Sequence, residues 1–134
     1  MKKLRVGVVG VGHIGSNHAR LYAEIPSAEF TAVYDVEPFR SSTIASKFGA
    51  AAAKSLDDFI SMVDAASVAT PTSTHYDVAR ALLAKGKHVL IEKPITETLH
   101  RLPSLLIWLP LTLSSCKWGT SNDSIQSWAR SKNI

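Results

Sequence analysis

The chain has 134 residues, carries a formal net charge of +4, is 46% hydrophobic and contains a single cysteine. This composition is typical of one globular domain and excludes an intrinsically disordered chain. No apolar run approaches the roughly 18 residues that a membrane helix needs. One cysteine cannot form an internal disulfide, which favours a reducing, cytoplasmic location, and the sequence predicts no metal site.

The excess of positive charge lies near the carboxyl terminus. From residue 98 onward there are four basic residues and one acid, so the first 97 residues are nearly balanced. A protein that binds nucleic acid usually presents a basic stripe to the phosphate backbone. We therefore expect neither nucleic acid nor a membrane as a partner.

The first predicted strand, at residues 4–9, leads into a glycine-rich loop and a helix at residues 13–24. The loop has the G-x-G-x-x-G spacing, in which the glycines permit a tight turn, close approach of a pyrophosphate and packing of helix on strand. Amides at the helix start then face the phosphates, where the helix dipole favours negative charge. The sequence thus predicts cofactor binding by Gly10, Gly12, His13, Ile14 and Gly15.

The second predicted strand, at residues 30–35, ends at Asp35, which lies 20 positions after Gly15. An acid at this place binds the ribose hydroxyls of the adenosine half and repels a 2′-phosphate, so NAD is favoured over NADP. The alternative is that Asp35 only caps the turn into the next helix. That helix runs from Pro38 to a stop at Gly49, and its Arg40 either stacks near the adenine or pairs with Glu37.

The remaining pattern continues the alternation of strands and helices. Strands are expected at residues 51–53, 65–69 and 88–91, a short helix is expected to follow an N-cap at Ser55, and a loop is expected at residues 70–75. A further helix begins about Tyr76 and stops at Gly86. Uninterrupted apolar strands joined by helices predict an α/β fold, a Rossmann-type doubly wound parallel sheet of about five strands.

Four segments of the sequence resemble the Gfo/Idh/MocA family of oxidoreductases over about residues 4–97. They are Gly-Val-Gly-His-Ile-Gly at 10–15, Tyr-Asp at 34–35, Ala-Thr-Pro-Thr-Ser-Thr-His at 69–75 and Glu-Lys-Pro at 92–94. The resemblance implies NAD(P)-dependent dehydrogenation of sugars and sugar derivatives. It also implies an N-terminal Rossmann domain followed by a domain that shapes the substrate site.

The resemblance further implies two groups of site residues. The first group lines the cofactor groove and comprises Thr70, Pro71, Thr72 and His75. The second group also binds the cofactor and comprises Glu92, Lys93 and Pro94, of which Lys93 lies beside the nicotinamide and the substrate. Lys93 is the expected catalytic residue, because an ammonium near the reacting carbon can stabilise the alkoxide that forms as hydride leaves.

Each of these roles has a structural alternative. Lys93 would otherwise be an ordinary surface lysine, and His75 would be a residue at a helix N-terminus that binds no ligand. His13 and His18 are expected to pack or face solvent, with no part in the chemistry.

After residue 98 the sequence changes character, with all three tryptophans, the lone cysteine and one acid. We therefore expect an NAD(P)-binding domain at residues 1–97 and an irregular tail at 98–134, with the substrate domain absent. Reading the codons for residues 116–123 one base earlier forces Gln, then Val or Met, then Gly, and Arg four positions after that Gly. That string resembles the family's sixth strand and following loop, which predicts a frameshift near residues 98–100. The alternative is a genuine short interaction tail.

These observations predict the dinucleotide-binding part of an NAD-dependent sugar dehydrogenase, inactive without the domain that excludes water and positions the substrate. The alternative functions are a non-catalytic NAD-binding module and an interaction protein that uses the tryptophan-rich tail. The apolar surface that a missing domain would expose also predicts self-association into a homo-oligomer.

Overall fold

A computed structural model gives the fold, and it describes residues 3–26, 28–91 and 116–118. Strands and helices alternate in the order β1 (Leu4–Val9), α1 (His13–Glu24), β2 (Ala28–Tyr34), α2 (Pro38–Phe48), β3 (Ala51–Ala52), α3 (Leu56–Met62), β4 (Ala65–Val68), α4 (Thr72–Ala84), β5 (His88–Ile91) and β6 (Cys116–Trp118). The strands form one parallel sheet in the order β3-β2-β1-β4-β5-β6. The predicted Rossmann-type doubly wound fold is confirmed.

The order of the sheet determines where a ligand crevice opens. The chain passes from β1 outward to β2 and β3, and then returns to the other side of β1 to form β4 and β5. In open α/β sheets a crevice forms at such a reversal, outside the carboxyl ends of the strands. The loops that follow β1, β2 and β4 all lie at that edge.

Both faces of the sheet carry apolar residues, which explains why helices pack on each face. Successive side chains of a strand point to opposite faces, and in β5 Leu90 joins one buried cluster whereas Val89 and Ile91 join the other. The first cluster includes Ala19 and Tyr22 of α1. The second includes Phe59 of α3 and residues of α4, so each layer of helices buries one face.

Local signals set several helix ends where the sequence predicts them. Gly49 and Gly86 each have a φ of 73°, the left-handed conformation that glycine adopts at low cost, and they follow the ends of α2 and α4. At the start of α3, Ser55 Oγ accepts a hydrogen bond from the Asp58 amide at 3.1 Å. The longest helix of the described ranges has 13 residues, and none of their helices is long and apolar enough to span a bilayer.

Two elements start at a different residue from the one predicted, and β2, β3 and β4 each end one residue earlier than predicted. Helix α4 begins at Thr72, so residues 72–75 form its first turn and are not a loop. The reason is the turn that Pro71 opens, because its carbonyl accepts both the amide of Thr74 at 2.9 Å and the Thr74 hydroxyl at 2.8 Å. Strand β2 begins at Ala28, two residues earlier than expected, because its start pairs with the start of β1.

A sixth strand lies within the segment predicted to be irregular. Residues 116–118 pair in parallel with residues 89–91 of β5. The prediction of irregular structure is wrong for these three residues, because the outer edge of β5 offers backbone groups that favour pairing with an extended segment. The other residues of 98–134 lie outside the described part of the chain, and the boundary at 97 stays a prediction.

At the opposite edge of the sheet, where the strands begin, an ion pair joins Arg5 and Asp64. Arg5 Nη2 and Nε donate to the two carboxylate oxygens of Asp64 at 3.0 and 3.3 Å, and the Arg5 amide donates to the same carboxylate at 3.1 Å. The hydrogen bond from the Arg5 side chain holds the pKa of Asp64 below its usual value. The Asp64 carbonyl also accepts the His88 amide at 3.1 Å, so this residue joins the starts of β1, β4 and β5.

Candidate functional site

A cleft of about 680 Å³ opens at the carboxyl edge of β1, β2 and β4. Its lining includes the glycine loop (Gly10, Gly12, His13 and Ile14), Asp35 after β2, and Thr70 and Pro71 after β4. Clefts of this size are typical of small-molecule and cofactor sites. The structure thus brings together at one site the residues that the sequence marks in three separate loops.

Gly10 and Gly15 are required by the packing of the protein itself. Gly10 has a φ of 86°, and a Cβ there would lie 2.7 Å from the amide nitrogen of Thr70. At Gly15 a Cβ would lie 1.7 Å from the carbonyl oxygen of Gly10, closer than any non-bonded contact allows. These two glycines let β1 turn sharply and let α1 rest on the turn, as the spacing predicts.

Gly12 differs from the other two, because no protein atom of the described residues requires a glycine there. A Cβ at Gly12 would meet Arg40 Nη1 at 3.9 Å and, its chain neighbours aside, no other atom within 4 Å. Its φ of −72° is one that any residue adopts. The missing side chain leaves open space in the cleft, which fits the close approach of a phosphate group to the backbone.

The start of helix α1 supplies donors for that space. Gly12 is the N-cap residue and makes no side-chain cap, and the first turn contains no acid. The first amides of a helix have no partner within it, and the helix dipole places partial positive charge on them. The residues present therefore fit the pyrophosphate of a dinucleotide without a cationic side chain.

Asp35 lies at the cleft and bonds to two backbone amides. Its Oδ2 accepts from the Val11 amide at 2.9 Å, and its Oδ1 accepts from the Glu37 amide at 2.8 Å. The cap of the turn after β2, the alternative role from the sequence, is thus present together with a place in the cleft lining. A carboxylate oxygen has a second lone pair, so both oxygens retain capacity for a ribose hydroxyl.

Arg40 pairs with Glu37, one of the two alternatives that the sequence left open. The Nε atom of Arg40 lies 3.1 Å from Oε2 of Glu37, and each side chain is more than half exposed, at 52% and 61%. An exposed pair of this kind contributes little to stability. Both residues line the cleft, and the pair places the Arg40 guanidinium near Gly12.

The other predicted site residues fall into two groups. Thr70 and Pro71 line the cleft, and Thr72 and His75 lie in the first turn of α4, which starts there. Glu92, Lys93 and Pro94 lie outside the described residues, so the catalytic role of Lys93 stays a prediction.

Some lining residues carry no signal in the sequence. Leu56 of α3 and Val78 of α4 form part of the apolar wall. Apolar residues of this kind cannot be distinguished from core residues by their pattern in the sequence alone. Their place in the cleft follows from the packing of α3 and α4 against the sheet.

The two histidines of α1 have different surroundings. His13 is exposed and lines the cleft, whereas His18 is 2% exposed and packs in the interior, as expected for a residue outside the chemistry. Burial lowers the pKa of His18 to about 4. No group of three or more His, Cys, Asp or Glu side chains in the described part of the chain is arranged to hold a metal ion.

A parallel sheet with a reversal beside β1 and an uncapped glycine loop at that reversal defines a Rossmann-type nucleotide-binding domain. Residues 4–106 match the family model described as "Oxidoreductase family, NAD-binding Rossmann fold". This match covers most of the chain, which therefore belongs to the Gfo/Idh/MocA family of oxidoreductases.

Individual relatives agree with the family. The chain is 43% identical over 96 residues to UDP-N-acetylglucosamine 3-dehydrogenase of Acidithiobacillus ferrooxidans, and 38% identical over 103 residues to inositol 2-dehydrogenase of Acidothermus cellulolyticus. Each alignment covers 72% of this chain and 30% of the relative. The chain thus spans about 30% of the length of these curated relatives.

Solved structures share the fold. The crystal form P21 of UDP-N-acetylglucosamine 3-dehydrogenase GnnA from Acidithiobacillus ferrooxidans superposes with a TM-score of 0.85 at 34% identity, over 98% of this chain and 44% of that one. GenD2 from gentamicin A biosynthesis, in complex with NAD, superposes with a TM-score of 0.84 at 29% identity, over 89% of this chain and 35% of that one.

Proposed function

We propose that this chain is the NAD-binding part of a dehydrogenase that oxidises a hydroxyl group of a sugar or sugar derivative. The observation that carries the proposal is the empty space over Gly12, which the packing of the protein does not explain and a pyrophosphate does. Support for the substrate class comes from the relatives, which include a UDP-N-acetylglucosamine dehydrogenase and an inositol dehydrogenase.

In this proposal each part of the cofactor has its own place in the cleft. The first amides of α1 would hold the pyrophosphate, and Asp35 would accept hydrogen bonds from the adenosine ribose. NAD is favoured over NADP, because a 2′-phosphate near Asp35 would be repelled by its carboxylate and by that of Glu37. Arg40 does not offset this repulsion fully, because it is already paired with Glu37.

Thr70 and Pro71, which line the cleft in the loop after β4, would hold the nicotinamide half. When bound, the nicotinamide supplies the hydride acceptor of the reaction. Lys93 follows β5 by two residues, and its ammonium would hydrogen-bond the substrate hydroxyl and stabilise the developing alkoxide. Excluding water and positioning the sugar fall to a second domain, so we propose that this chain alone does not turn over.

We also propose that the sequence after about residue 98 arises from a shifted reading frame. The codons that give Gln, Val or Met, and Gly in the other frame overlap residues 116–119, and β6 spans residues 116–118. The position of β6 thus coincides with the string that resembles the family's sixth strand in the other frame. A native tail would produce that coincidence by chance.

Calorimetric titration of the purified chain with NADH and with ADP-ribose tests the proposal. We expect both ligands to bind weakly and with comparable affinity, because they share the adenosine and the pyrophosphate that the described residues would contact. We expect no dehydrogenase turnover. Binding without turnover by a longer form carrying a substrate domain would instead favour a non-catalytic NAD-binding module. Absence of binding by a folded sample would contradict the proposal.

A further inference from the structure

Asp35 ties together the two loops that form the mouth of the cleft. Its Oδ2 accepts the Val11 amide at 2.9 Å, from the loop after β1, and its Oδ1 accepts the Glu37 amide at 2.8 Å, from the turn into α2. Next to this pair, the Gly10 amide donates to the Tyr34 carbonyl at 2.8 Å. Consecutive residues of the glycine loop are thus fixed to consecutive residues at the end of β2.

The hydrogen bond from the Val11 amide to Asp35 helps to determine the shape of the glycine loop. Val11 is 3% exposed, so its amide has no access to solvent as an alternative partner. Gly12, the next residue, is the N-cap of α1 and sits in the open part of the cleft. The direction in which the amides of residues 12–15 point therefore depends on how the chain is held at Val11.

We propose that Asp35 is a positioning residue for the phosphate-binding loop, in addition to facing the ribose. This inference rests on the proposed function, because it assumes that the loop binds a pyrophosphate. The carboxylate holds the Val11 amide, and that bond keeps the next four amides directed at the phosphates. The loss of Asp35 would then weaken the binding of the diphosphate even in a ligand that has no ribose hydroxyls.

An asparagine at this position separates the two roles. Its side chain is nearly the same size, but its single carbonyl oxygen can replace only one of the two carboxylate oxygens that face Val11 and Glu37. A bond that it keeps to the Val11 amide is neutral and weaker than the charge-assisted bond to the carboxylate. The substitution also removes a negative charge from the cleft. By charge alone, Asp35→Asn would bind a diphosphate more tightly or equally well, whereas loss of the loop contact weakens binding.

The experiment compares ADP with 2′,3′-dideoxy-ADP, which lacks both ribose hydroxyls, by calorimetric titration of the full 134-residue chain. We expect Asp35→Asn to weaken the binding of dideoxy-ADP about five- to tenfold, the effect of losing one charge-assisted hydrogen bond. Asp77→Asn is the matched control, since Asp77 is exposed on α4 and does not line the cleft. It removes the same charge, and we expect less than about a twofold change.

The amide of Val11 provides a second readout that a general loss of stability would not imitate. In Asp35→Asn we expect the hydrogen exchange of this amide to accelerate, while amides of β4 and β5 keep the rates of the parent chain. Unchanged or tighter binding of dideoxy-ADP by Asp35→Asn would overturn the positioning role and leave the ribose role intact. Failure of the parent chain to bind either nucleotide would instead overturn the proposed function.

Discussion

Replacing Gly12 with alanine separates the folding of the glycine loop from its binding. The added Cβ would meet Arg40 Nη1 at 3.9 Å, an ordinary contact, and the backbone φ of −72° is open to alanine. Alanine is a poorer N-cap than glycine but reduces the entropy of the unfolded chain, and the two effects are of opposite sign. We therefore expect the free energy of unfolding to change by less than about 1 kcal/mol.

Binding responds differently, because the methyl group occupies the space that a phosphate would enter. We expect the affinity for NADH and for ADP-ribose to fall by at least about tenfold, the cost of lengthening one or two amide-to-phosphate hydrogen bonds. Urea denaturation measures stability and calorimetric titration measures affinity, both on the same preparation.

Gly15→Ala is the comparison that makes the result interpretable. A Cβ at Gly15 would lie 1.7 Å from the Gly10 carbonyl oxygen, so the turn or α1 must move. We expect a loss of well over about 3 kcal/mol, beyond the usual range for overpacking, and little folded protein. Full ligand affinity in Gly12→Ala, or a stable Gly15→Ala protein, would refute the division of roles among the glycines.

Three further predictions concern other parts of the chain. Burial lowers the pKa of His18 from 6.5 to about 4. The neutral, buried His18 therefore contributes fully to the free energy of unfolding above pH 6.5, and this contribution is lost as the pH falls toward 4. In urea denaturation we expect the free energy of unfolding to be about 2 kcal/mol lower at pH 5 than at pH 8, and we expect a smaller difference in His18→Gln. Equal differences in the two proteins would count against the burial of His18 as the cause. Asp64→Asn breaks the ion pair with Arg5 at the amino edge of the sheet, where both side chains are about one-third exposed. We expect the free energy of unfolding to fall by about 1 kcal/mol and the nucleotide affinity to stay unchanged. A reduced affinity would show that binding in the cleft depends on this ion pair. Sequencing the coding DNA should show an open shifted frame after about codon 98 that encodes the family's next strand, and stop codons throughout that frame would contradict the frameshift.

The sequence predicted the parts of the fold that depend on local signals. The glycine spacing located the turn after β1, and Gly49 and Gly86 marked the ends of helices. A left-handed backbone conformation is needed at a single residue, so a single glycine in the sequence indicates it. Ser55 identified the start of α3, because a serine side chain can cap the first turn of a helix that begins at the next residue. The family resemblance agreed with these signals and with the match over residues 4–106.

Features that depend on packing between distant segments were not predictable. The bond between Asp35 and the Val11 amide exists because β1 and β2 end side by side, and no pattern within either loop encodes it. The start of α4 was placed too late, because a Thr-rich stretch after Pro71 has the composition of a loop as well as that of a first helical turn. The pairing of residues 116–118 with β5 depends on a sheet edge that is distant in sequence.

The central claim is that the first backbone amides of α1 hold a pyrophosphate, and nuclear magnetic resonance tests it most directly. Two-dimensional ¹H–¹⁵N spectra of the labelled chain would be recorded during titration with ADP-ribose. We predict the largest shifts at the amides of Gly12, His13, Ile14 and Gly15, and smaller shifts around Asp35. Saturating ligand that leaves those four amides unmoved, or that shifts resonances on another face of the sheet, would contradict the account.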